Sequence, residues 1–198
     1  MAVYNVLTKN DIDFTDVPRA QIDCYKWSEG YAPKAFGQLI YIKNKGFALK
    51  MTAYEQAPKA VYTEYNQPVY EDSCLEFFVR FNKDNPLYMN LEMNSNGAFL
   101  ASVRVERKNK TNIHNLIDLP AIKADIFDEF WTVETFFTLE QIEAMFGKLN
   151  FKKGYVFYGN FYKCGDKTAK PHYGMWSLIK TDKPDFHRPE YFGKLVIA

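Results

Sequence analysis

Three histidines, three cysteines and scattered carboxylates are the residues of this 198-residue chain that could break or make bonds. His114, His172 and His187 are its imidazoles, and none has the Ser, Cys or carboxylate pattern nearby that marks a catalytic triad. No GxSxG, HExxH, GxGxxG or phosphate-loop pattern occurs. Carboxylates can be paired on paper, Glu76 with Glu92 for instance. Glycoside hydrolysis depends on their separation in space, which spacing along the chain does not set. Cys24, Cys74 and Cys164 are far apart, odd in number and without a CxxC pair. They read as small buried thiols, not as a zinc site or a disulfide framework. The chain is expected to be no enzyme and to carry no catalytic residues.

Recognition chemistry is better supplied. Glu76 and Arg80 alternate onto one strand face, and Asn90, Glu92 and Asn94 onto a neighbouring one. Carboxylates, amides and guanidinium groups are the acceptors and donors that can pair with the hydroxyls of a sugar. Tyr70, Tyr173 and Trp176 stand in or beside turns, where an aromatic ring is free to act as an apolar platform. Trp176 reads either as a platform or as an anchor of the C-terminal strands, and the loop setting with Pro171 and Gly174 favours the platform. Glu76 is a hydroxyl acceptor or the anchor of a turn. Asn160 and Lys163 are further polar candidates on one later strand. His187 and Arg188 read as residues that fix the C-terminal loop beside Pro189.

The elements that must position these residues are mostly strands. Leu75, Phe77, Val79 and Phe81 share one face, opposite Glu76, Phe78 and Arg80. Met89, Leu91 and Met93 oppose Tyr88, Asn90, Glu92 and Asn94, and Phe99, Ala101, Val103 and Val105 oppose Ser102, Arg104 and Glu106. Phe47, Leu49, Met51 and Ala53 alternate in the same way. Such period-two runs predict strands with one face in a core and one face in water. Asn44-Lys45-Gly46 predicts a hairpin joining 38–43 to 47–54, and further strands are expected over 130–137, 155–163 and 194–197. Thr138-Leu139-Glu140-Gln141 is a capping box opening one short helix that Gly147 closes. Residues 109–128 read as a long crossing loop. Many strands with one helix predict a single all-β domain over 1–198, an antiparallel β-sandwich of jelly-roll type.

Lys and Arg nearly balance Asp and Glu, with a formal net charge of +1, so nucleic acid is not an expected partner. The one dense basic run, Arg104 to Lys110, is interrupted by Glu106 and reads as a solvated strand end and turn. No apolar run is long enough for a membrane span, so no membrane partner is expected. A cytoplasmic location follows if Met1 is the native start, and export follows if a leader was removed.

Four stretches carry a family likeness: Tyr70-Glu71-Asp72-Ser73-Cys74-Leu75-Glu76-Phe77-Phe78, Trp131-Thr132-Val133-Glu134, Gly159 to Asp166 (GNFYKCGD), and Pro171 to Ser177 running on to Asp185-Phe186-His187-Arg188-Pro189-Glu190-Tyr191-Phe192-Gly193. In this order the chain, from about Phe36 onward, resembles the family 9 carbohydrate-binding proteins, relatives of modules attached to bacterial xylanases. The resemblance implies a jelly-roll-like sandwich, no catalysis, and a sugar site between two aromatic side chains that grips the end of a glycan. It places the first aromatic six residues before the strand Glu, at Tyr70 with Glu76, and the second in the loop after GNFYKCGD, at Trp176. Tryptophan is usual at the first position, so Tyr70 offers a smaller stacking surface. The carbohydrate-binding set expected on these grounds is Tyr70, Glu76, Asn90, Asn94, Asn160, Tyr173 and Trp176. An oligosaccharide or polysaccharide is the expected partner, and association with a glycoside hydrolase is a further expectation. No cofactor is expected, and structural calcium stays open although no EF-hand loop is present.

Two other classes remain beside this one. Related sandwich domains bind b-type haem through a Met and a His or Lys, and this chain has Met89, Met93 and His172. Met at alternate strand positions is also ordinary core filler. The third class is a protein-interaction domain using its aromatic surface.

Overall fold

The computed structural model describes all residues, Met1–Ala198. Its strands are β1 (Val3–Lys9), β2 (Ala20–Ile22), β3 (Ala35–Ile42), β4 (Gly46–Ala53), β5 (Cys74–Arg80), β6 (Tyr88–Asn94), β7 (Phe99–Arg104), β8 (Lys110–Asn112), β9 (Ile122–Ile126), β10 (Trp131–Thr138), β11 (Val156–Cys164), β12 (Tyr173–Met175) and β13 (Gly193–Ile197). One helix, α1 (Leu139–Phe146), follows β10. The strands form a curled sheet in the order β8-β7-β6-β5-β11-β13-β1-β3-β4-β10-β9, with β12 beside β11 and β2 beside β3. Curling brings two faces of this sheet together as a sandwich.

β1 is the seam between the two halves. Its first residues pair with β13 (Val3 opposite Lys194) and its last with β3 (Leu7 opposite Ile40), both in parallel. The remaining ladders are antiparallel. The sandwich is therefore mixed at one seam, not antiparallel throughout. Tyr4 and Val6 alternate inward from β1 and are buried among the core residues. Residues 109–128 also differ from the expected loop. They hold β8, a turn of 3-10 helix and β9, which extends the second half of the sheet by pairing with β10 through Trp131 opposite Ile126.

The apolar faces predicted from alternation meet in the core: Leu75, Phe77 and Val79 of β5, Met89, Leu91 and Met93 of β6, and Leu49 and Met51 of β4. Met89 and Met93 are thus packed in the core as filler, and His172 Nε2 meets Lys163 at 2.6 Å. The hairpin at Asn44-Lys45-Gly46 forms as expected, with Asn44 in the left-handed region and Gly46 so close to β10 that a Cβ would lie 2.0 Å from the Phe137 carbonyl oxygen. The capping box is complete: the Gln141 amide donates to Thr138 Oγ1 at 3.1 Å, and the Thr138 amide to Gln141 Oε1 at 2.8 Å.

The outer face of β5, β6 and β11 is not the wet surface that alternation suggests. Phe78, Tyr88 and Tyr162 on that face gather Met175, Ile179 and Phe192 into a second apolar cluster. The chain beyond β12 folds over the sheet to bury these rings. What stays open between this cover and the strand ends β5–β8 is a cleft.

Candidate functional site

The cleft encloses about 340 Å³. Its floor comes from three adjacent strands: Glu76 and Phe78 of β5, Glu92 of β6 and Cys164 of β11. Ladder register puts Glu76 directly opposite Glu92 on β6, and Cys74 directly opposite Cys164 on β11. Arg104 of β7, Arg107 and Lys108 of the following turn, and Lys110 of β8 make one wall. Tyr70, Asp166, Tyr173 and the segment Pro184–His187 supply the rest.

Glu76 and Glu92 are buried, 3% and 5% exposed, and both carboxyls are pushed upward by that burial. Glu92 moves to about 7. Glu76 rises well above the carboxylate range, with the neighbouring Cys164 and Glu92 adding to the effect of burial. A protonated carboxyl both donates and accepts, so this pair can meet a hydroxyl from either side. The Cys164 thiol donates to Glu76 Oε1 at 2.9 Å.

A chain of polar side chains fixes the floor to the wall. Arg104 donates to Ser102 Oγ, Ser102 Oγ donates to Asn90 Oδ1 at 2.8 Å, and Asn90 Nδ2 donates to Glu92 Oε1 at 2.9 Å. Linked buried side chains of this kind hold one another in one geometry. The aromatic segment is fixed likewise. Phe186 stacks on Tyr162 with ring centres 4.0 Å apart and planes 9° apart, and Tyr88 Oη lies 3.0 Å from His187 Nδ1. Asp185 forms an ion pair with Arg188, Oδ2 to Nε 2.8 Å, and accepts from the His187 amide at 3.1 Å. His187 and Arg188 therefore have the loop-fixing place the sequence suggests, although the His187 ring also reaches the cleft.

The expected site residues divide into two groups. Tyr70, Glu76 and Tyr173 line the cleft. Asn90 lies beneath it and acts through Glu92 and Ser102. Asn94 spends its amide on the Tyr62 carbonyl and Asp72, and its carbonyl on the backbone of residues 96 and 98. Asn160 is likewise consumed by the Ser177 and Phe161 backbone. Trp176 is outside the cleft. Its ring packs edge-on to Tyr4 and Phe161 and lies over Gly193, where a Cβ would come within 2.2 Å of it. Trp176 does not join Tyr70 in lining the cleft, whereas Tyr173 and Phe186 do.

Lining residues that sequence reasoning passed over are Arg104, Arg107, Lys108, Lys110, Asp166 and Phe186. The basic run was visible, but nothing in it said that β7 and β8 would turn it toward Glu92. Lys163 points the other way, into the core end, where it meets Glu55 at 3.2 Å and His172 Nε2 at 2.6 Å. For a metal, Cys74, Glu76 and Cys164 bring ligand atoms within 4.8 Å of one another. Two thiols with one carboxylate are not the oxygen shell that calcium takes.

A shallower groove crosses the outer face of the other half-sheet. There Phe36, Thr52, Thr132 and Asp125 stand in one cross-strand row, and Phe14, Tyr54, Phe127 and Phe130 rim it. No helix is long and apolar enough to cross a membrane.

Comparison with known proteins adds a family and a fold. The family model described as carbohydrate-binding family 9 matches residues 6–197. Among solved structures, a candidate carbohydrate-binding protein from Bacteroides uniformis superposes with a TM-score of 0.84 at 22% identity, over 100% of this chain and 99% of that one. A family 9 carbohydrate-binding module from Caldicellulosiruptor kristjanssonii in complex with cellotriose gives 0.67 at 13% identity, over 98% and 93%. The same module with glucose gives 0.67 at 13%, over 99% and 94%. No curated protein matches the chain by sequence.

Proposed function

The chain belongs to carbohydrate-binding family 9, and on that premise we propose that it binds a sugar non-catalytically in the cleft above Glu76 and Glu92. The observation that carries this reading is the composition of the cleft. Aromatic surface from Tyr70, Tyr173 and Phe186 lies beside a buried carboxyl pair and a guanidinium fixed by a side-chain network. A sugar ring offers an apolar C–H face and an edge of hydroxyls. Stacking on an aromatic ring removes water from the first and contributes roughly 0.5–1.5 kcal/mol beyond area burial. Carboxyl and guanidinium groups pair with the second and set orientation. The cellotriose and glucose complexes of the Caldicellulosiruptor module make gluco-oligosaccharides the first ligands to try.

In this reading Tyr70 and Phe186 are platforms, Glu76, Glu92 and Asp166 read hydroxyls, and Arg104 both reads and orients. The cleft is short and walled by the 184–187 segment, which suits the end of a glycan better than its middle. Attachment to a glycoside hydrolase would be one use of such a binder. The test is calorimetry with glucose, cellotriose and xylotriose. Tyr70→Ala is expected to weaken binding at least tenfold, about 1.4 kcal/mol, in a protein whose melting temperature is nearly unchanged. Wild-type affinity in folded Tyr70→Ala and Phe186→Ala variants would remove the cleft as the sugar site.

A further inference from the structure

The wall of the cleft opposite the aromatic segment has a charge that neutral sugars do not require. Arg104, Arg107, Lys108 and Lys110 line it together. Arg104 is 5% exposed, yet its guanidinium meets only neutral oxygens, the Arg107 carbonyl at 2.8 Å and Ser102 Oγ, and its Nε has no partner. Glu92 lies close enough for its charge to act on Arg104, but no carboxylate bonds the guanidinium directly. A buried cation without an ion-paired partner is costly, so supplying one changes affinity strongly. Arg107 reaches Asp185 at 3.7 Å, but that carboxylate is already held by Arg188 at 2.8 Å. Lys108 and Lys110 are exposed at the rim and form no ion pair.

The acids of the cleft do not cancel this wall. Burial raises Glu92 to about 7 and also holds Glu76 well above the carboxylate range, so the pair's negative charge is reduced near neutral pH. Asp166 is also raised, because the walls keep water from its carboxyl. His187 is held neutral by burial and the nearby arginines, so it adds no positive charge of its own. The imbalance is therefore local, on a molecule whose formal net charge is only +1.

We propose that the sugar taken by this cleft carries an anionic group, a uronate carboxylate or a sulfate ester, received by the wall of Arg104, Arg107, Lys108 and Lys110. The inference rests on the sugar-binding reading above and narrows its ligand. A planar carboxylate matches the fork of an arginine, while the two lysines act as flexible point charges at the entrance. The hydroxyls of the same ring remain for Glu76 and Glu92, and its apolar face for Tyr70 or Phe186.

Calorimetry of the intact chain with glucose, glucuronate and glucose 6-sulfate, at low and at physiological salt, decides it. At least one acidic sugar is expected to bind at least tenfold more tightly than glucose, with the advantage shrinking as salt screens the rim. Whichever of the two gains identifies the anion. In a Lys108→Ala/Lys110→Ala variant, checked by thermal melt, the ratio of acidic to neutral affinity is expected to fall at least fivefold. Equal affinity for glucose and both acids overturns this inference and leaves the sugar site standing. An acidic preference that is unchanged in the double variant and in Arg107→Ala also overturns it. Failure of every sugar to bind overturns both readings.

Discussion

Trp176 and Tyr70 show how a residue's place in the packing decides what its ring can do. Both are aromatic, both stand near turns, and Trp176 has the larger face. Yet Trp176 fills the space that Gly193 leaves free, against Tyr4 and Phe161, while Tyr70 remains 37% exposed on the cleft. Trp176 is partly buried against the core, so Trp176→Ala is expected to cost about 2–3 kcal/mol of stability, at or below the low end for buried aromatics. Its sugar affinity should change far less than that of Tyr70→Ala, read by denaturant melts and calorimetry on the same samples. A stable Trp176→Ala protein that has lost binding would reverse the two assignments. Glu76 could be found from sequence because strand parity puts it opposite the core residues Leu75 and Phe77. The absence of a side chain at Gly193, by contrast, is the cause of Trp176's position, and that contact joins residues 17 positions apart through a fold not yet known.

At the scale of elements, the strands with a strong two-residue period were legible and the short ones were not. β5, β6, β7, β4 and α1 follow from alternation and from the capping box. β2 and β12 have three residues each, too few to show a period, and β9 has mixed burial along its length. β1 carries the period, but its parallel pairing on both sides comes from the closure of the sheet, which no local pattern encodes. The outer face of β5 and β6 was misjudged for a related reason, since a polar residue at an outward position can face a cleft as well as water. Element packing gives its own expectation. A Cβ on residue 193 would press into the Trp176 ring, so Gly193→Ala should destabilise by about 1–3 kcal/mol. A melt equal to wild type would show that β12 and β13 have more room than this packing allows.

For the molecule as a whole, the two faces of the β5–β11 pair are held differently. The outer face opens to the cleft. On the inner face, where Lys163 pairs with Leu75, lie Glu55, fully buried Lys163, His172 and Ser73, with Trp131 Nε1 donating to Glu55 at 3.1 Å and Lys163 to Ser73 Oγ at 3.0 Å. His172 keeps its Nδ1 on the Lys170 carbonyl at 2.8 Å and presents Nε2 to Lys163. Burial and then the lysine charge lower its pKa to about 4. The folded value lies below the ordinary 6.5 or so of a free imidazole. The stability held by the neutral ring is therefore full above that value and is lost as pH falls through 4. Melting temperature should fall between pH 6.5 and 4, and the fall should be smaller in a folded His172→Gln variant. Lys163→Met leaves Glu55 buried without its cation and is expected to cost about 3–5 kcal/mol, measured by denaturant melts at pH 7. A cost below about 1 kcal/mol would mean that the pair does not hold this face of the sheet.

The central claim, that sugar is held in the cleft over Glu76 and Glu92, is tested most directly by nuclear magnetic resonance of the isotopically labelled chain. Backbone and side-chain signals would be followed as glucuronate or cellotriose is added. The account predicts saturable shifts concentrated at Tyr70, Glu76, Glu92, Arg104, Asp166 and Tyr173, with Trp176 little affected. Shifts concentrated instead on Phe36, Thr52, Thr132 and Phe130, across the other half-sheet, would contradict it.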